Sequence, residues 1–415
     1  LNSNIRLLGF GAVMRALGIA ILYPFITIYL SEVMGIGYLS IGLLLLLVGM
    51  LPLLVSPFGG MVADRVGRRK IFLLALGVEA VCIAFVAISM MLVFIPGIIV
   101  AAALANVAGG AIAAPALLAY TADLTTVSDR TAAYSWQRIG FNAGYTIGVA
   151  AGGSLIYVIG YSCTGFIAAF SMVAAVAILA LKLSPSPYDT ENAKKAVNNT
   201  SKSPKISLSL LASFKFLAGD RYFLLLCVAF FLTNLATTQW SNILPLYLGS
   251  VLGLSTVAVG VALALNGLVV VLGQNQVTKW STGHKHTSAA NVALLLYVIS
   301  SIILGVVGLG VEGGVLVAVV MLAIVILTFG EDFKAVPMLT MPSNLAPSTE
   351  IGLYNGAAAM FAGAGAAIAP AFDGFALSVT NNTLVAWVLM IIPAVPAVIL
   401  FSQLGKRLPK EANTV

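Results

Sequence analysis

This chain is poor in charge. Only 8% of its 415 residues are charged and 60% are hydrophobic, whereas soluble domains carry roughly 25% charged residues. A polytopic membrane protein follows. Histidine is scarcer still: His284 and His286 share one predicted loop. No Ser/His/Asp set or metal-ligand spacing accompanies them, so an enzyme and a metal site are not expected. The three cysteines, Cys82, Cys163 and Cys227, lie singly in apolar runs, which fits no disulfide framework and suits small packing residues. No glycine-rich phosphate loop is present, so neither ATP drive nor any other cofactor is expected, and no selectivity-filter motif marks a channel. The formal charge of +7 lacks a basic face with interleaved aromatics. It points to membrane topology and anionic lipid headgroups, not to nucleic acid.

Apolar runs dominate. A span needs about 20 such residues, and twelve runs qualify, at about 5–31, 39–60, 70–94, 97–122, 131–158, 163–183, 221–249, 255–278, 287–309, 313–340, 351–378 and 383–404. The first contains Arg15 and Pro24, unlike a cleavable leader. The one long polar stretch, 184–216, carries Pro185, Pro187, Pro204 and five lysines. It reads as a linker, with a short amphipathic helix near Leu208–Phe216, and divides the spans six and six. The expected domains are 1–183, the linker 184–216, 217–405 and a tail, 406–415. Lys and Arg fall in the loops after even-numbered spans and in the tail. The opposite loops hold Glu32 and Glu312 and no Lys or Arg. Both termini are therefore expected in the cytoplasm.

The two halves repeat. Pro24 to Tyr29 is followed by Gly42, and Pro245 to Tyr247 by Gly260, an offset of 218 residues (42 to 260). The segment from Asp123 to Asp129 matches Asn344 to Glu350, an offset of 221 (123 to 344).

The densest cluster of charge is Gly59-Gly60-Met61-Val62-Ala63-Asp64-Arg65-Val66-Gly67-Arg68-Arg69-Lys70. It resembles the signature loop between helices 2 and 3 of the major facilitator superfamily of transporters. That resemblance implies an all-α fold of twelve transmembrane helices in two six-helix pseudo-symmetric bundles. It also implies alternating access to a mid-membrane solute site, and a cytoplasmic latch of Gly60, Asp64, Arg65, Arg68 and Asp123, in which Asp123 meets Arg68 or Arg65. The run Gly144 to Gly153 resembles the antiporter pattern G-x-x-x-G-P-x-x-G-G, except that Val149 stands where proline is expected.

Ionisable residues inside spans cost roughly 2.5–3.5 kcal/mol each on insertion scales, so each needs a reason. Glu331 follows the apolar stretch Val315–Phe329. A carboxyl kept from water there can take up and release a proton; an ion pair with Lys334, one turn on, is the structural alternative. Gly330-Glu331, Pro337 and Leu345-Ala346-Pro347 resemble helix 10 of the twelve-helix drug:proton antiporters, which implies proton coupling at Glu331. Arg15, Arg138, Asn142, Gln239, Trp240 and Asn266 are the candidates for the solute cavity. Arg15 reads equally as a packing ion pair, Arg138 as a residue snorkelling to the membrane face, and the asparagines as helix-bridging groups. Glu79, Asp332 and Asp373 have no role readable from sequence. The expectation is a monomeric plasma-membrane transporter exchanging a small amphipathic solute for protons. A proton-linked or passive carrier of a sugar, organic anion or amino acid is the alternative, and a transporter-shaped sensor or channel is the rival from another class.

Overall fold

The computed structural model describes residues 3–125, 130–185, 219–281, 283–347, 351–409 and 413. The expected linker from 186 onward, including Leu208–Phe216, lies outside them. The described chain is helical, as a bilayer demands, because hydrocarbon offers no partner for an open backbone group. We number the elements α1 (Ser3–Val33), α2 (Tyr38–Val66), α3 (Arg68–Met91), α4 (Ile95–Asp123), α5 (Arg130–Lys182), α6 (Arg221–Thr237), α7 (Gln239–Leu246), α8 (Thr256–Ser281), α9 (His286–Val307), α10 (Gly313–Leu345), α11 (Ile351–Val379) and α12 (Thr383–Arg407). Among the described residues, ten helices are long and apolar enough to cross a membrane.

One boundary differs from expectation. The charged stretch 59–70, read as a loop, is almost wholly helical: α2 runs through Gly59, Gly60 and Asp64 to Val66. Only Gly67 leaves the helix, at φ 116° and ψ 128°, a conformation open to glycine at little cost. Helix and polarity are compatible there, because a helix satisfies its own backbone and lets long basic side chains reach the membrane face. The 53-residue α5 is two helices joined at Gly160, φ 80°, within the break expected between 158 and 163. Unbroken, it would be about 80 Å long, more than twice the hydrocarbon thickness of about 30 Å.

Contacts divide the chain into two units. One comprises Leu1–Gly35, Leu47–Ser203 and Gly253–Gly267. Its core is Ile5, Leu8, Phe72, Leu76, Tyr120 and Leu179, with their neighbours. Here α5 lies directly on α1. Gly140, Gly144, Gly148 and Gly152 recur every four residues, and a Cβ at each would overlap α1 backbone at Gly9, Val13, Leu17 and Ile21. Small residues at that spacing let helices pack by close backbone approach where no hydrophobic effect drives them together. The other unit comprises Ile36–Leu46, Pro204–Leu252 and Leu268–Val415, with Phe223, Phe230, Tyr297, Tyr354 and Phe401 in its core.

The repeat is visible inside each unit. Tyr29 donates its hydroxyl to the Met90 carbonyl at 2.7 Å, and Tyr247, 218 residues on, donates to the Leu304 carbonyl at 2.7 Å. Both tyrosines open a widened helical turn, Tyr29–Val33 and Tyr247–Val251. In the first unit Gly260 of α8 rests on the Val149 carbonyl of α5, and Gly153 on the Thr256 carbonyl. In the second, Gly42 of α2 rests on the Pro370 carbonyl of α11, and Gly374 on the Tyr38 carbonyl. These contacts keep the same offsets, 218 (42 to 260) and 221 (149 to 370, 153 to 374).

Candidate functional site

Three ionisable clusters stand out. The first joins α1, α3 and α4. Arg15 donates from Nε to Glu79 Oε2 at 2.7 Å and from Nη2 to Glu79 Oε1 at 2.8 Å. Glu79 is 3% exposed, so this two-point, charge-assisted pairing supplies what a buried carboxylate needs. The pair fits only because residue 109 of α4 is glycine; a Cβ there would overlap both Glu79 Oε1 and Arg15 Nη2. Arg15 also borders a cavity of about 240 Å³ in the same unit, together with Gln137, Arg138 and Phe141 of α5 and Leu117 of α4. Gln137 donates to Thr121 Oγ1 at 2.7 Å, while the Arg138 side chain is exposed.

The second cluster joins the Arg-rich start of α3 to the end of α4, where Arg68 Nη1 donates to Asp123 Oδ1 at 2.5 Å. Arg69 donates to the Ala180 carbonyl at 2.7 Å. The side chains of the other expected latch residues, Gly60, Asp64 and Arg65, lie outside the described part of the structure.

The third cluster is in the second unit. Glu331 is half-buried on α10, near enough to Lys334 and Tyr297 for its charge to act on both. Lys334 Nζ donates to Thr237 Oγ1 of α6 at 2.9 Å and stands 5.6 Å from the centroid of the Tyr297 ring of α9. Asp332, 2% exposed, lies where a Cβ on Gly273 would approach its Oδ2 to 2.7 Å. An acid and a base one turn apart thus share a mostly apolar helix, with a hydroxyl and an aromatic face set around the base.

Of the remaining candidates, Asn142 is half-buried on α5. Asn266 is 5% exposed on α8, beside Gly267, whose missing Cβ makes room for Thr146 of α5. The side chains of Gln239 and Trp240 lie outside the described part. Sequence reasoning missed Gly109 and Tyr297. The Gly109-Gly110 pair was a legible sign of close approach; Tyr297 carries no local signal, because its partners come from other helices.

The Major Facilitator Superfamily model matches residues 8–370. A Bacillus subtilis (strain 168) protein named "Uncharacterized MFS-type transporter YttB" is 26% identical over 89% of this chain and 87% of its own. "Multidrug resistance protein 2" of the same organism is 29% identical over 40% of this chain, a match spanning only 38% of that relative. Among solved structures, the nucleoside transporter NupG superposes with a TM-score of 0.73 at 12% identity, covering 98% of this chain and 99% of that one.

Proposed function

The chain belongs to the Major Facilitator Superfamily, and on that premise we propose that this multi-pass membrane transporter exports a small amphipathic organic solute in exchange for protons. The observation that carries the reading is the Glu331–Lys334 cluster on α10. A carboxyl and an amine inside a membrane helix are costly. They are useful if the charge of the pair changes during the work. Protonation of Glu331 removes the negative charge that acts on Lys334 and leaves the ammonium with Thr237 and the Tyr297 face. If one conformation favours the charged arrangement and the other the neutral one, proton binding shifts their balance; with equal affinities it would shift nothing.

In this reading the twelve helices form two halves, 1–183 and 217–405, joined by 184–216, in a monomer with both termini in the cytoplasm and the plasma membrane as its location. The Arg68–Asp123 pair, with Gly60, Asp64 and Arg65, latches the cytoplasmic end. Arg138, Asn142, Gln239, Trp240 and Asn266 contact solute. Arg15 serves chiefly to neutralise Glu79. Exposed Arg138 at the 240 Å³ cavity favours one second reading, a carrier of small organic anions. The discriminating experiment is dye efflux from proteoliposomes under an imposed proton gradient. Wild type drives efflux with the gradient, and Glu331→Gln loses the drive while keeping passive exchange. Dye flux indifferent to both gradient and substitution overturns the antiporter and moves the screen to organic anions.

A further inference from the structure

Asp373 is the unexplained acid of this molecule. It is 0% exposed on α11, and neither carboxyl oxygen has a hydrogen-bond partner. Glu79 has Arg15, and Asp123 has Arg68. Asp332, also buried, has only its Oδ2 unsatisfied, so among the described buried acids Asp373 alone lacks a hydrogen bond at both oxygens. Asp220 caps α6 through Phe223 N and accepts from the Tyr354 hydroxyl. Titratable groups do occur on the elements around α11: Tyr38 on α2, Cys227 on α6, Glu331, Asp332 and Lys334 on α10, and Tyr354 on α11 itself. Among the described residues none hydrogen-bonds to the Asp373 carboxyl.

Its position is as telling as its isolation. Asp373 is flanked by a close backbone seam, where Gly42 of α2 meets the Pro370 carbonyl and Gly374 meets the Tyr38 carbonyl with no room for a Cβ. The fold has no need of an acid there. The position related by the 221-residue offset is Gly152, which serves packing alone. An ionised carboxylate without partner or water is excluded at such a place, and the group takes a proton instead. A neutral acid left without hydrogen bonds is itself poorly satisfied, so any movement that admits water to the seam favours ionisation.

We propose that Asp373 is a second proton-binding site, neutral while the α2–α11 seam is closed over it and ionised when the seam opens to water. On opening, the carboxyl O–H breaks and its proton passes to water; on closing, one proton is taken up. The inference rests on the transporter reading only in needing two conformations, and not on Glu331.

The experiment is infrared spectroscopy of the full chain in liposomes across a pH titration, reading the carbonyl stretch of a protonated carboxyl free of hydrogen bonds. Wild type shows that band at neutral pH and loses it as pH rises. Asp373→Asn and Asp373→Leu lack it, the apolar variant covering the case in which a buried amide fails to fold. Glu331→Gln keeps it, whatever that substitution does to transport. In parallel, amide exchange of the α11 segment around Asp373 rises with pH in wild type relative to Asp373→Leu at the same pH. The proposal is overturned by absence of the band in wild type or by its persistence in either Asp373 variant. A band unchanged at every pH the fold tolerates, or equal exchange in wild type and Asp373→Leu, also overturns it.

Discussion

Removing the charge of Glu79 isolates the Arg15–Glu79 pair. Glu79→Gln keeps the size of the side chain but leaves Arg15 facing an amide that can accept from it but has lost its negative charge. Losing one partner of a buried ion pair costs about 3–5 kcal/mol. Because the Arg15 side chain is 21% exposed and that of Glu79 4%, water recovers part of this, and about 2–3 kcal/mol is expected. Arg15→Met costs a similar amount by stranding the carboxylate. The double variant removes both charges and loses less than the two singles together, since a buried pair replaced as a unit is often near neutral. The assay is denaturant unfolding of the purified protein in one detergent, as a double-mutant cycle. The structure predicts a coupling energy of about 2 kcal/mol, within the range known for contacting residues. Gly109→Ala, which pushes a methyl between the two groups, reproduces the single losses. Additive single variants, or a Gly109→Ala that unfolds like wild type, refute the reasoning.

Other outcomes follow from the same geometry. Gly152→Val forces α5 off the α1 backbone at Ile21 and lowers stability by about 1–3 kcal/mol, read as a fall in the melting midpoint; an unchanged midpoint contradicts the close packing. Tyr29→Phe and Tyr247→Phe each lose one buried hydrogen bond, about 1 kcal/mol, and the two losses should match in size if the repeat is structural. Asp123→Asn slows transport without abolishing folding. The charge swap Arg68→Asp with Asp123→Arg recovers part of the rate, and a swap no better than the single variant argues against a latch.

Much of this was legible in the sequence because it is periodic or local. Apolar runs separated by charged or glycine-containing breaks mark the helices. The 218-residue offset announced itself in Tyr29 and Tyr247 and reappears as paired hydrogen bonds to Met90 and Leu304. The glycines from Gly140 to Gly152 spell their own close contact. What was not legible depends on partners from distant positions. Glu79 finds Arg15 across 64 residues, and no spacing rule reaches that far. Whether Lys334 turns to Glu331, Thr237 or Tyr297 depends on how α6, α9 and α10 pack. The 59–70 stretch misled in the other direction. Its polarity suggested a loop, but polarity sets where a helix meets the membrane face, not where it stops; Gly67 alone sets the stop.

Proton movement driven by solute tests the central claim most directly. Liposomes carrying the protein are loaded with an amphipathic dye at equal internal and external pH, then diluted so that only the dye gradient remains. The account predicts that dye leaves as protons enter, so the interior acidifies in step with efflux and Glu331→Gln abolishes the acidification. Dye efflux through the protein with internal pH unchanged contradicts the account.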